Sequence, residues 1–330
     1  MLGCLLVRMT LVLTRASKDY VLQVTDRLVT QTGGVPFDAI ANKNVLFCSR
    51  NGVIVLGYTG LAYLGGVPTD QWIVETLTGH TFDRNRKPPA FTAGAIRTRD
   101  IGGSLTLLKK KLENAPVEPK RSSGWRALSF DVCFSGWQWS RKRCRPVVGW
   151  LSKAKNAVTI ESSYAPRYWH LDRNRQGRGF KFKVVAAPAS NLPHAQLKVM
   201  AERLTDCGPD EAERIMVEMI REVSRSVPEV GPHCMSILLG PPSAGSARIR
   251  YVPLGGPALA TVSWSQGPTF TLPVAFTPWI VGPGGIFAPS ISAGSRTVQI
   301  GHYTITLEAP ESPECGIEFL LDAQLRPKLP

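Results

Sequence analysis

Met9-Thr10-Leu11-Val12-Leu13-Thr14-Arg15-Ala16-Ser17-Lys18-Asp19-Tyr20-Val21-Leu22-Gln23-Val24-Thr25-Asp26-Arg27 is the stretch whose reading decides the fold. Two alternating runs, each with β-branched residues, flank the polar turn Ala16-Ser17-Lys18-Asp19 and predict a β-hairpin. A hairpin folded there brings Thr10 alongside Asp26. If the chain begins at Thr10, that threonine carries its own base, a free α-amino group beside its hydroxyl.

A second hairpin follows. Ala41-Asn42-Lys43-Asn44-Val45-Leu46-Phe47-Cys48 and Val53-Ile54-Val55-Leu56-Gly57 are strand-like, and Ser49-Arg50-Asn51-Gly52 reads as the turn between them. The second strand runs into Tyr58-Thr59-Gly60-Leu61-Ala62.

These residues resemble the proteasome-type branch of the N-terminal nucleophile hydrolases, of the bacterial β-subunit kind. In that family an N-terminal Thr opens the first strand and an Asp ends the second. A Lys starts the third, and a Gly-containing turn follows the fourth. The resemblance maps these roles onto Thr10, Asp26, Lys43 and Gly60. It covers residues 9–80 well, residues 130–240 as a pattern, and residues 241–330 not at all. It implies an α+β fold, a four-layer αββα sandwich, here with a small C-terminal β appendage. It also implies a threonine-type peptidase acting on peptide or protein substrates as a homo-oligomer, with no cofactor and no metal. The domain division it suggests is an upstream or propeptide segment (1–9), a hydrolase domain (10–240) and the appendage (241–330).

The chemistry is consistent with those roles. A threonine hydroxyl is a poor nucleophile without a base. An α-amino group has a pKa near ~7.7–8.0 and can accept the hydroxyl proton at neutral pH. The roles the resemblance implies are that Lys43 would place positive charge near the nucleophile, Asp26 would hold Lys43, and the Gly60 N–H would point at the developing oxyanion. Two departures from the family pattern stand out. Lys43 lies one residue further from Thr10 than the family has it. Ser226-Val227-Pro228-Glu229-Val230-Gly231 lacks the later Asp and Ser, although Ser190 could fill another family position. The alternative readings are a catalytically degenerate proteasome-like assembly protein and a basic nucleic-acid-associated protein.

Composition bounds the rest. The chain has 330 residues, 43% of them hydrophobic and 19% charged, which describes a soluble globular protein with ample core. The run Met1-Leu2-Gly3-Cys4-Leu5-Leu6-Val7 lacks a basic flank and is too short to span a bilayer, so no membrane and a cytoplasmic location are expected. The seven cysteines are scattered and odd in number, which predicts free thiols rather than a disulfide framework. The five histidines show no metal-ligand spacing.

The net charge of +14 is concentrated. Residues 81–185 hold 23 Lys and Arg against 7 Asp and Glu. Such a patch could attract nucleic acid, and Trp137, Trp139, Trp150 and Trp169 lie within it, but no nucleic-acid-binding motif accompanies it. A solvated face, with the tryptophans packed in the core, is the preferred reading.

Helices are predicted over 68–78, with Thr69 or Asp70 as N-cap and Trp72, Ile73, Thr76 and Leu77 as the apolar stripe, and over 104–112, 193–205 and 209–226. Ala212, Ile215, Met216, Met219 and Val223 form one apolar face of the last of these. Further strands are predicted over 127–134, 146–151, 180–185, 231–239, 260–264, 297–300 and 303–307. Residues 135–139 read as a loop, and Gly301-His302 as a turn.

Overall fold

The computed structural model describes residues 10–30, 36–38, 41–64, 67–79, 81–83, 90–92, 100–115, 130–140, 143–154, 160–170, 180–186, 194–241, 246–252, 254, 259–260, 274–277, 279–282, 285–287, 294–300 and 303–309. Strand β1 (Leu11–Ser17) and strand β2 (Val21–Asp26) form the first hairpin, with Val12 opposite Thr25 and Ala16 opposite Val21. Its turn is fixed by Ser17. The Ser17 Oγ accepts the Asp19 and Tyr20 N–H groups, each at 3.1 Å, and the Ser17 N–H donates to the Tyr20 carbonyl at 2.9 Å. That is why Ala16, expected in the turn, belongs to the strand.

The short strands β3 (Val29–Thr30) and β4 (Pro36–Asp38) pair next. Strand β5 (Asn44–Ser49) and strand β6 (Gly52–Thr59) make the second hairpin. The pair β7 (Tyr63–Leu64) and β8 (Val67–Pro68) leads into helix α1 (Thr69–Thr78). Its N-cap is Pro68, with no side-chain cap bond, because Thr69 Oγ1 instead donates to the Leu61 carbonyl at 2.8 Å. Its buried face carries Ile73, Val74 and Leu77, while Trp72 is only partly buried.

Strands β9 (Thr81–Asp83) and β10 (Ala90–Thr92) pair before helix α2 (Ile101–Glu113). This helix starts three residues earlier than its glycines suggest. Asp100 caps it by accepting the Gly103 N–H at 2.6 Å, and Asn51 Oδ1 accepts the Ile101 N–H at 2.8 Å. Strands β11 (Asp131–Ser140), β12 (Arg143–Ala154), β13 (Ile160–His170) and β14 (Phe180–Ala186) follow. Helix α3 (His194–Arg203) precedes helix α4 (Pro209–Ser224), which has Pro at its first position and Asp210 and Glu211 in its first turn. The chain continues through β15 (Cys234–Leu239), β16 (Ser246–Val252), β17 (Leu259–Ala260), β18 (Val274–Thr277), β19 (Trp279–Gly282), β20 (Gly285–Phe287), β21 (Gly294–Ile300) and β22 (Tyr303–Ala309).

Two eight-stranded sheets organise these elements. The first runs β14-β1-β2-β15-β16-β22-β21, with β17 paired to β16. The second runs β13-β12-β11-β6-β5-β18-β19-β20. Pairing is antiparallel apart from β16 with β22. One apolar core gathers Phe47, Leu56, Phe134 and Val132 of the second sheet with Ile73 of α1 and Leu108 of α2. Another gathers Leu13, Leu22 and Val24 of the first sheet with Met216, Met219 and Ile220 of α4. Truncating a buried residue such as Phe47 to Ala should cost about 3–5 kcal/mol.

The expected four-layer αββα sandwich is corrected. Antiparallel sheet dominates: twenty-two strands stand against four helices among the described residues. Two causes are visible. Residues 135–139, expected as a loop, run as strand because β6 and β12 both offer ladder partners to β11. Strand β13 lies outside the expected strands; it contains Pro166 and sits at a sheet edge, where proline is tolerated. Gly301-His302, residues 127–129 and residues 261–264 lie outside the described residues.

Candidate active site

The first hairpin and the start of the second supply the site. Thr10 stands immediately before β1, 7% exposed. The next residue fixes it, since the Leu11 N–H donates to Asp26 Oδ1 at 2.9 Å. Asp26, at the end of β2, is fully buried. Its other oxygen, Oδ2, accepts the Leu28 N–H at 3.1 Å, the Gly231 N–H at 3.2 Å and Lys43 Nζ at 2.9 Å. A carboxylate this enclosed is held by four donors, which offset its desolvation.

Lys43 lies just before β5 and is 2% exposed. Its Nζ donates to Thr10 Oγ1 at 3.1 Å, to Asp26 Oδ2 at 2.9 Å, and to the Leu28 carbonyl. An ammonium has three protons, and these three oxygens use them. Because Thr10 Oγ1 accepts from Lys43, its own proton is free to point elsewhere. An alkoxide formed at Thr10 would sit against a fixed positive charge.

A cleft opens beside these groups, lined by Thr10, Leu28, Thr30, Lys43, Tyr58, Gly60 and others. Gly60 has φ 96°, a left-handed backbone that favours glycine. Tyr58 belongs to the core that the second sheet shares with α1 and α2, and its hydroxyl donates to the Asn42 carbonyl at 2.8 Å. Nearby, burial and the Asp26 charge push the Cys234 thiol up to about 12. Burial, with Arg27 and Arg221, holds the His233 imidazole below its ordinary value.

The structure therefore brings Thr10, Lys43 and Gly60 to one cleft, with Asp26 buried behind it and bonded to Lys43. Sequence reasoning missed Leu28 and Gly231, which act through backbone groups and carry no residue-type signal. It also missed Tyr58 and Thr30 as cleft walls. Ser190 lies outside the described residues, as do Arg141 and Lys142 of the basic run at 141–145. In the segment that departs from the family pattern, Val230 is buried in the α4 core and Val227 packs against it. Among the described residues no helix is long and apolar enough to cross a membrane.

No protein-family model matches the chain, and no curated protein matches it. Among solved structures the chain is similar to the Anbu (Gly-1) mutant from Hyphomicrobium sp. strain MC1, at 14% identity and a TM-score of 0.45. It is also similar to Anbu from the same strain, at 13% identity and a TM-score of 0.44. A third, titled Helical Assembly of the Anbu Complex from Pseudomonas aeruginosa, is 13% identical with a TM-score of 0.46. Each alignment covers 74% of this chain and 88% of the other. The resemblance to the proteasome β-subunit family is corrected accordingly: no family model or curated match supports it, and the similar structures are Anbu proteins.

Proposed function

We propose that the chain is an amide hydrolase, a threonine-type peptidase in which Thr10 becomes the N-terminal nucleophile after removal of residues 1–9. The observation that carries this reading is Lys43 Nζ, buried and shared between Thr10 Oγ1 and Asp26 Oδ2 at 3.1 and 2.9 Å. A buried lysine aimed at a strand-terminal hydroxyl is costly for stability alone and useful for charge stabilisation. The freed α-amino group takes the Thr10 hydroxyl proton, directly or through one water. The hydroxyl oxygen attacks the carbonyl carbon, and the oxyanion is received by the Gly60 N–H. Collapse expels the amine, which leaves with the proton held by the α-ammonium. Water then hydrolyses the Thr10 ester. One oxyanion donor of this kind is worth about 3 kcal/mol. Substrates are peptides or proteins, and the working form is a homo-oligomer. The test is turnover of fluorogenic peptides by protein whose N-terminus is Thr10, against the same protein retaining residues 1–9.

The second reading is a catalytically silent protein of an assembly. Val227 and Val230 favour it: they are committed to the α4 core in the segment where the threonine peptidases place polar residues. Under this reading Thr10 keeps its upstream peptide bond, its nitrogen is an amide, and no base is generated.

A further inference from the structure

Lys43 is bracketed by two buried asparagines, and each ties its segment to the opposite sheet. Thr10 immediately precedes β1 and Asp26 ends β2, both strands of the first sheet, whereas Lys43 immediately precedes β5 of the second. On one side of Lys43, Asn44 Oδ1 accepts Gln23 Nε2 of β2 at 2.9 Å, and Asn44 Nδ2 donates to the Met235 carbonyl of β15 at 3.4 Å. On the other side, Asn42 Oδ1 accepts the Tyr251 hydroxyl of β16 at 2.8 Å. All three of these partners belong to the first sheet.

The bracket is itself supported. Gln23 Oε1 accepts Thr14 Oγ1 at 3.0 Å and Ser135 Oγ at 3.1 Å, so its amide is held from both sheets. Arg27 lies over the Tyr251 ring, 4.3 Å from its centroid. Gly57 leaves the room the amides need: a Cβ there would come within 2.6 Å of Gln23 Nε2 and 2.9 Å of Asn44 Oδ1. Asn42, Asn44 and Gln23 are all at most 1% exposed. Buried amides placed between two sheets, where apolar side chains would pack more cheaply, specify one register rather than add stability.

We propose that Asn42 and Asn44 are positioning residues that hold Lys43 against Thr10 and Asp26 by pinning both of its neighbours to the first sheet. The proposal rests on the reading of Thr10, Asp26 and Lys43 as the reacting set. Its effect is on the placement of one ammonium, so it reads out on kcat rather than KM, and on how well Lys43 is shielded.

The experiment uses the oligomer whose chain begins at Thr10, carrying Asn44→Ala or Tyr251→Phe, the second removing only the hydroxyl that Asn42 accepts. Two quantities are measured on each: kcat and KM with a peptide substrate, and the rate at which an amine-reactive ester acylates Lys43, read by peptide mass spectrometry. Lys198, 72% exposed, serves as the internal reference. The expected result is that Asn44→Ala lowers kcat tenfold or more with KM within threefold, and speeds Lys43 acylation tenfold or more relative to Lys198. Tyr251→Phe should move both in the same direction, by less. If Asn44→Ala does not fold, Tyr251→Phe alone decides. Folded variants in which Lys43 stays as shielded as in the wild type overturn the proposal. So does unchanged kcat alongside lost shielding. A wild type without turnover refutes the functional reading instead, and the acylation rates still decide whether the asparagines place Lys43.

Discussion

Lys43 Nζ and Asp26 Oδ2 lie 2.9 Å apart with neither side chain more than 2% exposed. A pair this buried gains little net stability, because desolvation offsets the attraction, yet losing one partner leaves an uncompensated charge. Lys43→Met should therefore destabilise the fold by about 3–5 kcal/mol, measured by denaturant unfolding. In the same variants, Lys43→Met and Asp26→Asn should each slow acylation by roughly a hundredfold or more. The double variant should be little worse than Lys43→Met alone, since Asp26 acts mainly through Lys43. Losses that simply multiply would disprove the coupling even if both residues mattered.

Thr10→Ala should abolish hydrolysis while the chain still folds, with a modest fall in the unfolding midpoint from the Lys43 Nζ bond it removes. The lost methyl and hydroxyl sit at a strand terminus and fill no large part of either core. Thr10→Ser, which keeps the oxygen, should retain partial activity. The check is a panel of fluorogenic peptides, and normal turnover by the alanine variant would exclude Thr10 as nucleophile.

Gly60→Ala should lower both stability and activity. At φ 96° a Cβ costs roughly 1–2 kcal/mol, and relieving that strain turns the N–H away from the cleft. Calorimetry and kcat should fall together, and a variant with normal kcat would remove Gly60 from the oxyanion role.

The two hairpins were legible because alternation and turn chemistry are local signals; it was the family resemblance that mapped site roles onto Thr10, Asp26, Lys43 and Gly60. The face of α4 was legible for the same reason, since Met216, Met219 and Val223 repeat at helical spacing. What was not legible depends on partners distant in sequence. Residues 135–139 become strand through β6 and β12, and β13 tolerates Pro166 through its place at an edge. The Gly231 N–H reaches Asp26 across 205 residues, a bond that no residue type announces. The asparagine bracket was likewise invisible, because Asn42 and Asn44 read alone as ordinary strand-entry polar residues.

Two buried thiols give a pH dependence with a definite sign. Burial pushes both Cys48 and Cys234 from an ordinary value of 9.0 up to about 12. Below pH 9 the folded and unfolded chains both hold these protons, and stability is at its full value. Between 9 and 12 the unfolded chain loses them while the folded chain keeps them, so stability falls as pH rises, by about 1.4 kcal/mol per pH unit for each thiol. Urea unfolding at pH 8.5 and 10.5 should show this fall, and the Cys48→Ala, Cys234→Ala double variant should fall less steeply. Equal slopes would contradict the burial of these thiols.

The central claim is that Thr10 acts as a free N-terminal nucleophile, and one measurement meets it directly. Purified, active protein is treated with an acylating β-lactone, and its intact mass and modified peptide are read by mass spectrometry. The account predicts a chain that begins at Thr10 and carries one acyl group on the Thr10 side-chain oxygen, with activity lost in proportion. Active protein that retains residues 1–9, or that loses activity through an adduct elsewhere, would contradict it.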